Sequence, residues 1–375
     1  IGTSIVYGLP GIGAGYMYLL VNLYIMKFST DVLLIAPSVM GVIFSISRIW
    51  DAVSDPVAGY LSDRTTFKFG RRRTWILVSF VPISLGFLAV FSPPTTMEGQ
   101  ALDTWMMFAI LGFYSAMTLF LVPHMALGAE ISDDYHERTK LFGVRHIGFT
   151  FGSILALISM SILINEEVKP EGNVRQLASN LALFSVLIMS AFIIFSVSRL
   201  KERPEYQNRV NKNPFKAFRD VWKNYHAKIL LIILFIENLG GAVIGVLTLY
   251  VTQYIVEAPE WAPLIIFAYM FPAAASVPLW IPLSRKYGKI KLWIFSLAAT
   301  GIAFGGIFVI PFLDSVTERL IVIFTGAILG GIAAGCGGAV GPSIKGDVID
   351  YDEYLTGERK EGTYFAAANF VFKSA

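Results

Sequence analysis

Along the chain, long apolar runs alternate with short polar stretches. A bilayer core about 30 Å thick needs about 20 apolar residues of helix. Ten runs reach that length and an eleventh is cut short by the end of the chain. The pattern predicts helices over roughly 5–26, 34–61, 75–92, 104–129, 142–164 and 177–197. A second set covers 229–256, 263–283, 292–313, 320–340 and 362–375. No series of ten-residue pieces alternates with period two, which argues against a membrane barrel. The expectation is an all-α membrane protein.

Composition agrees with lipid as the solvent. Hydrophobic residues make up 55% of the 375 residues and charged residues 15%, against about 25% charge in a soluble domain. Mean hydropathy is +0.62. A net charge of +3 gives no reason to expect a nucleic-acid partner, and the lone Cys336 rules out an internal disulfide. The chain starts without Met and without a signal-peptide pattern, so it reads as a piece lacking its first few residues.

The basic residues are sorted by position. Of 30 Lys and Arg, 23 fall in the turns after even-numbered runs, and only Lys169, Arg175 and Arg319 in the opposite turns. The positive-inside rule then places the N-terminus and the basic turns in the cytoplasm. The longest connection, 199–228, splits the chain into an N-terminal six-helix bundle (1–198), a cytoplasmic central loop, and a C-terminal bundle (229–375) holding helices seven to eleven. Within the loop, Phe215, Phe218 and Trp222 fall on one helical face among Lys216, Arg219 and Lys223. That suits a helix in the membrane interface or a solvated linker. The turn Ser62-Asp63-Arg64 to Gly70-Arg71-Arg72-Arg73 is echoed by Ser284-Arg285-Lys286-Tyr287-Gly288-Lys289. Matching turns in two halves suggest a parallel repeat.

Charges inside the runs are the informative residues, because each costs about 2.5–3.5 kcal/mol at a span centre. Asp51 and Asp55 lie four residues apart on one helical face, with Arg48 one turn before. A structural ion pair would need one Asp for Arg48, so the second carboxylate favours a titrating or ion-binding site. Arg145 and Lys373 either neutralise an Asp across the bundle or hold an anionic or polyhydroxyl substrate. Glu237 and Asn238 point to a structural or gating role. His124 and His146 are of a kind that ordinarily satisfies a backbone carbonyl.

Several strings have catalytic spelling only. His136-Glu137 lacks a second His at Lys140, so no zinc-protease helix forms. Gly8, Gly11, Gly13 and Gly15 follow no strand, and the spacings from Gly326 to Gly341 suit close helix packing. Asp347 to Glu353 has the wrong spacing for a calcium loop and reads as a helix end paired with the basic turns. With no nucleophile–base or metal constellation at membrane depth, no enzyme is expected.

The run Arg48-Ile49-Trp50-Asp51-Ala52-Val53-Ser54-Asp55-Pro56, with Asp63-Arg64 and Gly70-Arg71-Arg72-Arg73, closely resembles the glycoside–pentoside–hexuronide:cation symporter family. This is the melibiose-permease-like branch of the major facilitator superfamily. Asp347-Val348-Ile349-Asp350-Tyr351 and Gly357-Glu358-Arg359 through Tyr364 resemble its late cytoplasmic loop. The resemblance implies two six-helix bundles, here truncated within the eleventh helix, that carry a sugar or glycoside by alternating access. It implies Asp51 and Asp55 as ligands of Na⁺, Li⁺ or H⁺, with Ser54 and Thr118 assisting, and no cofactor beyond that ion. On the substrate side it implies Arg145 and Lys373, to which His124 and Asn369 are added. Arg48, Asp63, Arg64 and Arg71 are expected in a charge or gating network.

Galactoside-binding members have acids where this chain has Gly15 and Leu121, and a tryptophan where it has Met125. A melibiose-like galactoside is therefore not expected, and an anionic sugar such as a uronate is the favoured cargo. A lysolipid or other amphiphile symporter, or a non-transporting membrane sensor, stand as alternatives. The expected setting is the inner (plasma) membrane, as a multi-pass monomer with no nucleic-acid partner.

Overall fold

The structure, a computed structural model, describes residues 2–67, 69–132, 134–167, 169, 172–203, 221–258, 261–358 and 360–374. Among them each apolar run forms a helix. The first six are α1 (Gly2–Leu23), α2 (Pro37–Arg64), α3 (Arg71–Phe91), α4 (Gln100–Glu130), α5 (Tyr135–Glu167) and α6 (Val174–Arg199). They are followed by α7 (Tyr225–Tyr250), α8 in two pieces (Ala262–Ala275 and Val277–Tyr287), α9 (Lys289–Gly305), α10 (Val316–Thr356) and α11 (Glu361–Ser374). Residues 204–220 of the central loop, which carry most of the expected interface helix, lie outside the described residues.

Seven described helices are each long and apolar enough to cross a membrane, and α8 makes an eighth if its pieces count as one span. The α2 helix is not among them, since it carries Arg48, Asp51, Asp55, Asp63 and Arg64. The two pieces of α8 meet at 48°. Pro278 cannot donate to the preceding turn there, and Ser276 instead bonds across to the carbonyl of Ile332 at 3.0 Å. The largest departure from the predicted boundaries is α10, expected to stop near 340 but running 41 residues to Thr356. Its acidic end is held in helix by partners on other elements: Arg138 and Lys289 on Asp347, Arg138 on Asp350, and Lys360 on Asp352.

The glycines of α1 are a packing device. Gly8, Gly11 and Gly15 face Gly148 and Gly152 of α5, so the two backbones touch without side chains between them. A Cβ on Gly15 would overlap the carbonyl of Phe149, and one on Gly152 would overlap the carbonyl of Ile12. This gives a physical reason why no acid occupies position 15: a side chain of any size is excluded there. Because the obstruction is backbone, Gly15→Ala and Gly152→Ala are each expected to cost about 1–3 kcal/mol. Thermal unfolding in detergent checks this, with both variants melting several degrees below the parent.

The two sets of helices meet along two seams. In one, α2 packs on α11, and a Cβ on Gly59 would lie 2.6 Å from the Gly362 carbonyl. In the other, α5 packs on α8 and α10, with Gly143 against Val277 and Gly338 against the ring of His146. These seams position everything that follows.

Candidate functional site

The acidic pair is buried as the sequence spacing implies. Asp51 is 1% exposed and Asp55 0%. The Thr118 hydroxyl, from α4, donates to Asp55 Oδ1 at 2.7 Å. Ser54 Oγ is buried beside them with no hydrogen-bond partner. Arg48 reaches Asp51 at 3.7 Å, but its side chain is 40% exposed. It is also held from above, donating to Asn22 Oδ1 at 3.3 Å with its guanidinium 5.2 Å from the Tyr114 ring centre. Arg48 is thus a loose, half-solvated partner of Asp51. Two carboxylates at i, i+4 in low dielectric favour a positive charge or a proton between them. The donors are all oxygens, which suits a hard cation. Among the described residues no group of three or more His, Cys, Asp or Glu is placed to hold a metal ion.

Beside this pair lies a cavity of about 370 Å³ lined by Tyr18, Leu19, Asn22, Arg48, Phe149 and Phe372, with Ser153. It is shared by α1, α2 and α5 on one side and α11 on the other. Arg48 thus connects the cavity wall to Asp51. Asn369 lies half-buried one helical turn before Phe372. Lys373 belongs to α11, and its side chain lies outside what the structure describes.

Arg145 sits one turn below Phe149 on α5. Its Nε is buried and has no hydrogen-bond partner, and no described carboxylate lies within ion-pair distance. Of the two readings open for it, neutralising an Asp across the bundle is therefore not the arrangement adopted. His124 calls for a correction. It is 1% exposed and stacked between Tyr7 and Phe120, with ring centres 4.5 and 5.0 Å away. Its Nε2 bonds to the Tyr7 carbonyl at 3.0 Å, and the Tyr7 hydroxyl donates to the His124 carbonyl at 3.0 Å. It satisfies a backbone carbonyl and does not line the cavity. Leu121 and Met125 likewise pack in the apolar core.

On the face that carries the basic turns, the seam between the halves is sealed by charge. Asp63, near the end of α2, accepts from the Gly362 and Thr363 amides at 3.0 and 3.1 Å, and from the Thr363 hydroxyl at 3.0 Å. It caps the N-terminus of α11, where unpaired amides and the helix dipole favour an anion. Arg72 pairs with Asp63 at 2.5 Å and with Glu130 at 2.8 Å, and Arg71 bridges Glu130 at 2.8 Å and Glu361 at 3.4 Å. All five side chains are buried. Across the second seam Arg138 of α5 holds Asp347 and Asp350 of α10, while Lys289 also reaches Asp347. These contacts put the turns after α2, α4, α8 and α10 on one face. On the other face the described ion pairs, Lys27 with Asp31 and Glu167, Lys169 with Glu166, and Arg319 with Glu257, each stay within one half. The molecule is closed at the basic face.

Arg64 is corrected in turn: it is exposed, bonds only to Tyr60 of its own helix at 3.1 Å among the described contacts, and takes no part in the seal. Its expected place is filled by Arg72. The sequence gives no role to Glu130 or Glu202, and places Glu361 only within the late-loop motif. Glu202 accepts from the amides of Arg71, Arg72 and Arg73 at 2.6, 2.8 and 2.5 Å and so caps α3. Burial pushes its carboxyl above the usual range despite those bonds. Gly70 ahead of it has φ +110, and a Cβ there would lie 2.6 Å from Glu202. Glu202→Ala is expected to cost about 1–2 kcal/mol as a lost cap, read as a lower melting temperature in detergent.

A family model described as MFS/sugar transport protein matches residues 6–375. Inner membrane symporter YicJ of Escherichia coli (strain K12) is 26% identical over 98% of this chain and 78% of its own length. The isoprimeverose transporter of Lactiplantibacillus pentosus is 24% identical over 98% of this chain and 76% of its own. Among solved structures, the proton:xylose symporter XylE superposes with a TM-score of 0.65 at 13% identity, covering 98% of this chain and 93% of that one. At that identity the match speaks for the fold alone.

Proposed function

The chain belongs to the MFS/sugar transport protein family, and from that premise we propose that it is a cation-coupled symporter of a sugar or glycoside. It is an integral membrane protein that works by alternating access and catalyses no chemical reaction. The observation that carries this reading is the pairing of a buried two-carboxylate site with a cavity set away from the sealed face. In the proposed cycle Asp51 and Asp55, assisted by Ser54 and Thr118, bind Na⁺, Li⁺ or H⁺. Arg145, Lys373 and Asn369 bind the substrate at mid-membrane. Neutralising the acid pair lowers the cost of closing low-dielectric protein over the site, so cation and substrate move together.

The orientation proposed is N-terminus and basic turns in the cytoplasm of an inner or plasma membrane, which makes the sealed face cytoplasmic and the state outward-facing. With Arg145 Nε buried and Arg145 unpaired by any described carboxylate, the cargo is an anionic sugar such as a uronate in preference to a galactoside. The test is uptake into proteoliposomes by the full-length protein, offered melibiose, neutral glycosides, uronides and lysophospholipids with and without an inward Na⁺ or H⁺ gradient. The expected result is gradient-dependent uptake of a uronide and none of melibiose. Transport of lysophospholipid alone would replace the sugar reading with an amphiphile one.

A further inference from the structure

Beyond the acid pair, the structure gathers a second set of ionisable side chains where the halves meet. At about 1.5 Å of rise per residue, Arg145 lies about 15 Å into α5 from its start at Tyr135. Lys345 lies about 16 Å up α10 from its end at Thr356, and Glu237 about 18 Å into α7 from Tyr225. All three are thus at one depth, well inside the sealed face. By apolar run length Lys345 falls in the turn after the tenth run. The extension of α10 past 340 instead carries it into the interior, where it is half-buried.

Lys345 lies within electrostatic reach of both Arg145, from the other half, and Glu237, from its own. No described carboxylate lies within ion-pair distance of either cation. Arg145 Nε is buried and unsatisfied, and so is Nε2 of His146, whose ring packs on Gly338 of α10. Glu237 stops short of Lys345 and comes instead over Gly337, where a Cβ would be 3.1 Å from its Oε1 and 3.9 Å from the Trp293 indole nitrogen. That indole N–H interacts with Glu237, though without a hydrogen bond of normal geometry. Two cations within electrostatic reach of one another across the seam, with Arg145 Nε unpartnered and the one nearby acid short of ion-pair distance, suit an anion.

We propose that Lys345 and Arg145 together clamp the anionic group of the substrate, one cation from each half, and that Glu237 competes electrostatically with that group for Lys345. This rests on the sugar-symporter reading and names the substrate class for it: a hydroxylated ring bearing a carboxylate or a similar oxyanion. The clamp also links recognition to motion. Without the anion, the two like charges repel across the seam; with it, each half is drawn to the same ligand.

The test is calorimetric binding to the purified full-length protein in detergent with Na⁺, using methyl β-D-glucuronide and its neutral counterpart methyl β-D-glucoside. Lys345→Met, which keeps the length and removes the charge, is expected to weaken the glucuronide by at least about tenfold, the loss of one charge-assisted hydrogen bond. Lys345→Arg should restore much of it, and the glucoside should be indifferent to both. Glu237→Gln removes the competing carboxylate and is expected to tighten the glucuronide several-fold, a gain that misfolding cannot mimic. Unchanged glucuronide binding in Lys345→Met and Glu237→Gln, equal effects on both ligands, or binding of neutral glycosides only would overturn the clamp and leave the symporter reading standing. Absence of binding by every sugar and uronide would overturn the two together.

Discussion

Asp63→Asn is expected to open the sealed face. The substitution keeps the shape of the side chain but removes the charge paired with Arg72 and turns one acceptor of the α11 amides into a donor. Breaking a buried pair by removing one partner costs about 3–5 kcal/mol, and each 1.4 kcal/mol is about tenfold in an equilibrium. The closed state is thereby disfavoured by a factor of about a hundred or more relative to a state in which these groups separate and meet water. A cysteine introduced at Leu19, on the cavity wall, with Cys336 replaced by Ser, reports the change. Its labelling by a membrane-impermeant maleimide from the open side should slow by at least an order of magnitude in Asp63→Asn. Equal labelling in a variant that still folds would mean that the seal does not hold this conformation.

Neutralising the acid pair has the other large effect. Asn at 51 or 55 keeps the volume and takes away the charge a cation needs, while Thr118 retains an oxygen partner at position 55. Cation binding should fall below detection in both Asp51→Asn and Asp55→Asn, whether read by displacement of a proton or by calorimetry with Na⁺. Downhill substrate exchange, which draws nothing from the gradient, should continue. The charge removed is buried, so melting temperatures should hold or rise. A variant that loses exchange together with cation binding would mark the acids as substrate ligands instead.

Much of this was legible in the sequence, and for reasons that differ by element. Apolar run length located the helices seen among the described residues, because helix rise and bilayer thickness leave little freedom. The i, i+4 spacing of Asp51 and Asp55 put both on one face of α2, and burial followed from the cost of placing such charges against lipid. Helix ends were less legible. The last third of α10 is polar in sequence and helical only because Arg138, Lys289 and Lys360 meet its acids from elsewhere. The same misplaced end hid Lys345. Gly15 read as a missing sugar ligand, whereas the nearby Phe149 carbonyl makes it a backbone contact. The seal was half visible: Asp63 and Arg71 stand in a recognisable turn, but Glu130, Glu202 and Glu361 join them only through folding, and no spacing along the chain announces that. His124 was readable both ways, and its stacking between Tyr7 and Phe120 decided for packing.

The central claim is that a cation held by Asp51 and Asp55 drives uphill movement of a sugar. Accumulation of a transported glycoside or uronide against its gradient, in proteoliposomes with an imposed Na⁺ or H⁺ gradient, compares the parent with Asp51→Asn and Asp55→Asn most directly. The account predicts accumulation in the parent, and in both variants equilibration to the outside concentration and no further. Full gradient-driven accumulation in either variant would contradict it and place the coupling site elsewhere in the molecule.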